Sequence, residues 1–149
     1  MALVEIRHLL DIPYAYRNGP DSDIHPEDGI NCQLLVHVFY RQFLEVNLSP
    51  QEKSRETFED GLFRPIMDEP YHVGDIFYFG PAGLTDARRL HLGVYIGEIQ
   101  GEPLVLHANR VDGRVSIWPL SEFPNHPRYA QWYGVRRYGL LEEMQAAMF

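Results

Sequence analysis

From Val73 onward the apolar pattern has a period of two, and this constrains the chain more than any other feature. DIFYFG (75–80), HLGVYIG (91–97), PLVLHA (103–108), GRVSIWPL (113–120) and YGVRRYG (133–139) are short β-branched or aromatic runs. Gly, Pro, Asn and Asp separate them, and the connections are too short for the helical crossovers that parallel strands require. The runs therefore predict an antiparallel sheet of about five short strands. Ahead of them the period is helical. Leu35, Phe39 and Phe43 fall at i, i+4 and i+8, with Val36 and Val38 widening the stripe, so a helix is predicted from Cys32 to about Leu44. Asn31 is placed to cap it. A second helix start is read in SPQEKSRETFED (49–60), with Ser49 as cap, Pro50 at the first position and Glu52 completing a capping box. Asn18–Gly29 is rich in Pro, Gly and Asp and reads as an irregular loop. The tail LLEEMQAAMF (140–149) is helix-prone. Helices first and antiparallel strands after give the α+β class. At 149 residues, residues 1–149 are expected to form one domain.

Charge and composition exclude several functions. A net charge of −8 argues against binding nucleic acid or an anionic membrane surface. No apolar stretch approaches the roughly 18–20 residues that span a bilayer. Glu5, Arg7, His8 and Asp11 interrupt the N-terminal apolar residues, so the segment lacks the core of a signal peptide and the sequence reads as cytoplasmic as encoded. The seven histidines are scattered and there is no CxxC or HExxH, so neither metal nor cofactor is expected. One cysteine rules out an intrachain disulfide.

That cysteine, Cys32, falls in the first turn of the predicted helix, where the helix dipole favours a thiolate. A nucleophile also needs a base, and one pair of histidines has the spacing to supply it. HLGVYIG (91–97) and PLVLHA (103–108) read as the arms of a hairpin turning near Glu98–Glu102. With the turn centred on Gln100, opposed residues sum to 200 and Gly93 faces His107. His91 and His107 are then diagonal neighbours on one face. One imidazole could orient the other while that one serves the thiol, as in a triad. A slip of one residue would put them on opposite faces. The histidines at 8, 25, 37, 72 and 126 carry no such pattern. His37 lies about 140° around the helix from Cys32.

In order, Pro13-Tyr14, GINCQLLV (29–36), VGDIFYF (73–79), HLGVYIG (91–97) and the strand ending in His107-Ala108 resemble the NlpC/P60 cysteine peptidases, a compact papain-like group. The resemblance runs from about residue 13 to 138. It implies Cys32 as nucleophile, His91 as general base and His107 as the residue that orients it. Tyr14, Asn31 and Gln33 would take substrate-binding or oxyanion roles. The Cys32 backbone N–H at the helix start would also suit a developing oxyanion. The implied reaction is amide hydrolysis through a thioester, with peptidoglycan stem peptides as substrate, cut between γ-D-glutamate and a diamino acid. The family pattern Asp-Cys-Ser-Gly is here Asn31-Cys32-Gln33-Leu34. The chemistry residues persist while the pocket residues differ. A peptide or peptidoglycan fragment is the expected partner, reached by way of a secretion or phage system, and oligomeric state is left open. Two alternatives remain: a catalytically silent papain-like binding module, and a cysteine acyltransferase of the same fold.

Overall fold

The computed structural model describes residues 3–139, so the helix-prone tail 140–149 lies outside the described residues. Among the described residues the elements are two α-helices and six strands: α1 (Cys32–Phe43), α2 (Ser54–Glu59), β1 (Phe63–Pro65), β2 (Ile76–Gly80), β3 (His91–Ile99), β4 (Glu102–Asn109), β5 (Arg114–Pro119) and β6 (Gln131–Tyr138). All strand pairs are antiparallel, in the order β1-β6-β2-β3-β4-β5. Five of the six strands are those read from the sequence. The sixth, β1, is a three-residue edge strand in which only Phe63 is buried. It ends on Pro65, which contributes no donor to a ladder, as suits an edge.

The sheet is apolar on both faces. Helix α1 covers one of them, burying Leu35, Val36 and Phe39 in the same cluster as Leu92, Val94, Leu106 and Ala108. The other face carries Phe77, Phe79, Tyr95, Val105 and Trp118. Short 3-10 segments at Leu120–Asn125 and Pro127–Tyr129 close it by inserting Phe123 and Tyr129. Helix α1 starts where the sequence predicts: Asn31 Oδ1 accepts a hydrogen bond from the Leu34 N–H at 2.9 Å, satisfying one of the first-turn donors. Asp75 is fully enclosed and accepts two hydrogen bonds from the Arg137 guanidinium at 2.8 and 2.9 Å. It thereby ties the start of β2 to β6.

The second helix departs from expectation. Ser49 does turn the chain, through Glu52 N–H to its carbonyl and Gln51 N–H to its Oγ, but Lys53 is extended and α2 begins only at Ser54. Long-range bonds override the local signature here. His37 Nε2 meets the Glu52 carbonyl at 2.6 Å, and Ser54 Oγ donates to the Leu90 carbonyl at 2.8 Å, fixing 52–54 against α1 and β3. Glu52 is buried beside Asp60 and Glu56 instead of reaching back to Ser49. Burial, with those two carboxylates, pushes its own carboxyl up to about 7.

The β3–β4 hairpin decides where the two histidines go. Its turn residues, Gln100 and Gly101, both have positive φ, as the favoured two-residue hairpin turn requires. Ile99 therefore pairs Glu102, and near the turn opposed residues sum to 201. Carried along the whole hairpin, that register would put His91 and His107 on opposite faces. A bulge between Tyr95 and Gly97 inserts Ile96 and changes the sum, so that Tyr95 pairs Val105 and Val94 pairs Leu106. The predicted register holds at the histidine end and fails by one at the turn end.

Candidate active site

Three segments meet at one cleft of about 810 Å³. The start of α1 supplies Asn31, Cys32 and Gln33, the first residue of β3 supplies His91, and the strand-like stretch before the irregular loop supplies Tyr14. Tyr14 is held there by a bridge to Ile30 on one side, and its neighbour Pro13 bridges Arg114 on the other. His107 does not reach the cleft. It is fully enclosed behind His91, with Nδ1 2.8 Å from His91 Nε2. That bond occupies one nitrogen of His91 and leaves Nδ1 for the cleft. Gly93 faces His107 across the hairpin, and a Cβ there would collide with the Val105 side chain beside it.

Aromatic rings wall the histidine pair. Tyr129 stacks on His91 at 4.2 Å, Trp118 sets its edge against His107 at 4.4 Å, and Phe123 lies 4.9 Å from His107. The far nitrogen of His107 lies 3.4 Å from Asn109 Nδ2. A further chain of bonds fixes that amide. Asn109 Oδ1 accepts from the Asp112 N–H, Nδ2 donates to Ser116 Oγ, and Ser116 and Trp118 both donate to the Asp112 carboxylate. The 2.8 Å histidine bond runs in either direction: a proton on His91 Nε2 is donated to His107 Nδ1 and leaves His91 Nδ1 an acceptor, whereas a hydrogen bond from the Asn109 amide to His107 Nε2 goes with the proton on His107 Nδ1.

Burial sets the protonation of the site. It pushes the Cys32 thiol up to about 11, against the opposing pull of the Leu92, Cys32 and Gln33 N–H groups. It drives His91 down to about 3, and His107 falls well below the usual histidine value, with the charges of His91 and His126 adding to the burial. The expectation that the helix start alone would favour a thiolate is thus corrected. A first-turn dipole is worth about 1 kcal/mol or less, whereas removing a thiolate from water costs more. The resting pair is a neutral thiol and a neutral imidazole. Burial also raises Tyr14, whose hydroxyl oxygen accepts from Arg110 Nε at 3.4 Å.

The other sequence-nominated residues are committed to structure. Asn31 spends Oδ1 on the Leu34 cap and Nδ2 on the Tyr16 carbonyl at 3.2 Å, so it lines the cleft with its polar atoms already engaged. Gln33 donates to Ser54 Oγ at 2.8 Å, bracing α1 against α2. Residues the sequence did not single out include Tyr129, Asn109, Asp112 and Ser116. They come from the end of β4, the turn after it, β5 and the second 3-10 segment, and only Asn109, which a register summing to 200 sets opposite His91, had a local signal. Among the described residues no cluster of His, Cys, Asp and Glu could hold a metal ion, and no helix is long and apolar enough to cross a membrane.

No curated protein matches the chain in a sequence search. The NlpC/P60 family model matches residues 12–134, which takes in Tyr14, the start of α1, both histidines and the first half of the last strand. With its papain-like α+β architecture and a match over most of its length, the chain belongs to the NlpC/P60 family, whose members are generally cysteine peptidases and related hydrolases.

Proposed function

We propose that this protein is a thiol-dependent amide hydrolase acting on peptidoglycan stem peptides, at the bond between γ-D-glutamate and a diamino acid. The family points to cell-wall peptidase or amidase activity. The observation that supports the thiol-dependent chemistry is the His91 Nε2–His107 Nδ1 bond of 2.8 Å behind a cleft that contains Cys32 at a helix start, and the substrate rests on the family alone. In this reading Cys32 Sγ attacks the scissile carbonyl carbon while its proton passes to His91 Nδ1. His107 holds the imidazole ring in place and accepts the Nε2 proton's hydrogen bond as His91 becomes charged. The Cys32 N–H and the Tyr14 hydroxyl donate to the oxyanion. The C–N bond then breaks and the amine leaves with the proton from His91. Water attacks the thioester, releasing the acid and restoring the thiol. Because burial disfavours both charges at rest, proton transfer accompanies attack instead of preceding it.

Digestion of purified peptidoglycan by the wild type and by Cys32→Ala, followed by mass spectrometry, tests the reading. The wild type releases stem-peptide fragments and the variant loses the activity by several orders of magnitude; release at an unchanged rate by the variant would sink the proposal. The same neutral thiol and imidazole also support a silent papain-like binding module, which predicts no turnover of any amide by the wild type. An acyltransferase of this fold would transfer the acyl group to an added amine in preference to water.

A further inference from the structure

The cleft around Cys32 has a charge opposite to that of the chain. Among the described residues six Lys and Arg line it, namely Arg17, Lys53, Arg88, Arg89, Arg110 and Arg128, but only one acidic residue, Asp21, does so. Asp21 is already bonded to Lys53 at 2.9 Å, and Arg88 is held by Asp86 from outside the lining. Among the described residues Arg17, Arg89 and Arg128 make no ion pair. In a chain of net charge −8, like-charged guanidinium groups gathered without partners around one concavity raise the local concentration of anions.

Arg110 is the best positioned of the six. It follows β4 three residues after His107, and its backbone N–H donates to the Tyr129 hydroxyl at 3.1 Å. Its Nε donates to Tyr14, and its guanidinium lies 5.8 Å from the Tyr14 ring centre and 5.1 Å from that of Tyr16. Two tyrosines thus orient a planar fork whose remaining N–H groups match a carboxylate or a phosphate. The floor offers nothing of the opposite kind. Asn31 is neutral and both its amide groups are spent, so a substrate ammonium finds no counter-charge beside the nucleophile.

We propose that the cleft selects an amide carrying at least two anionic groups, carboxylates or phosphates, one of which is held by Arg110 and the others by the arginines of the rim. This rests on the reading of Cys32 as the nucleophile and names the substrate class that nucleophile receives. The cations come from five separate segments: the loop before α1, the residue before α2, the turn before β3, the end of β4 and the turn before β6.

Alkylation of Cys32 by two reagents that differ only in charge tests it without requiring turnover. Rates for iodoacetate and iodoacetamide are measured by mass spectrometry on the full chain at about pH 9, where enough thiolate forms for both to react, and are compared with the ratio for N-acetylcysteinamide. The iodoacetate-to-iodoacetamide ratio at Cys32 is about tenfold or more above that of the small thiol at low salt. It collapses toward the small-thiol value in about 0.5 M NaCl, where the Debye length is only about 4 Å. Arg110→Gln and Arg128→Gln each lower it severalfold. A ratio equal to or below that of the small thiol overturns the proposal. Calorimetric titration then separates the sources. Saturable binding of inorganic pyrophosphate alone assigns the site to phosphates, and binding of γ-glutamylglutamate but not its fully amidated form assigns it to carboxylates. Binding of neither overturns the proposal. Peptidoglycan digestion that persists in Cys32→Ala would remove the nucleophile reading and leave both charge measurements readable.

Discussion

Protonating His91 in the folded protein would place a charge on a ring stacked against Tyr129 and bonded to a second buried imidazole, and folding is therefore coupled to pH. Burial lowers His91 from its ordinary 6.5 to about 3. Between those values the unfolded chain binds a proton that the folded chain refuses, so stability is intact above about pH 6.5 and is lost as the pH falls through this window. For His91 alone the loss is about 2 kcal/mol by pH 5 and about 3 kcal/mol by pH 4. His107 and His37, both lowered chiefly by burial, add losses of the same sign. Glu52 acts in the opposite direction. Its carboxyl is raised to about 7 in the folded chain, so it favours folding as the pH drops from 7 toward 4.5 and offsets part of the loss. Urea denaturation at pH 7, 6 and 5 reads the balance, and His91→Gln isolates the histidine. Whatever its effect on absolute stability, that variant loses about 1 kcal/mol less than the wild type between pH 6 and pH 5. Identical pH slopes for the two proteins would refute the claim that His91 is kept neutral by burial.

The opposite linkage at Glu52 predicts that Glu52→Gln stabilises the protein by about 1–2 kcal/mol at pH 8, where the wild-type carboxyl is ionised beside Asp60 and Glu56, and has little effect at pH 5; thermal melts at the two pH values check it. Gly97 carries the bulge with φ +132 and open space around its Cβ position, so Gly97→Val costs about 1–3 kcal/mol from backbone strain alone and lowers activity with stability, as seen in denaturation midpoints. Alkylation of Cys32 by iodoacetamide, followed by mass spectrometry, rises about tenfold per pH unit from pH 7 to 10, as a thiol raised to about 11 requires; a rate already at its plateau at pH 7 would mean that the resting site holds a thiolate.

The parts of the fold that were legible in the sequence are those whose signals are local. Helix α1 was readable because Asn31 caps it and Leu35 and Phe39 repeat at helical spacing, and both the cap and the burial are observed. The histidine pair was readable because hairpin arithmetic places 91 and 107 on one face. That arithmetic succeeded at the histidines through a bulge it did not include, although Gly97 within a strand-like run was a signal for one. The capping box at Ser49 failed because His37 and Leu90 bind residues 52 and 54 from a distance, and no local pattern records such bonds. Strand β1 is too short to have a period. The basic cleft was invisible for the same reason as the network behind His107: Arg17, Arg89, Arg110 and Arg128 become neighbours only when the sheet and its loops assemble.

The central claim is that Cys32 becomes an acyl carrier. Intact-protein mass spectrometry after rapid quenching, with a stem peptide containing the γ-D-glutamyl-diamino acid bond, tests this most directly. The expected result is a wild-type species heavier by the acyl fragment, mapped to the peptide containing Cys32, discharged by hydroxylamine and absent in Cys32→Ala. Stem-peptide cleavage by the wild type with no adduct at Cys32, and undiminished in Cys32→Ala, would contradict it.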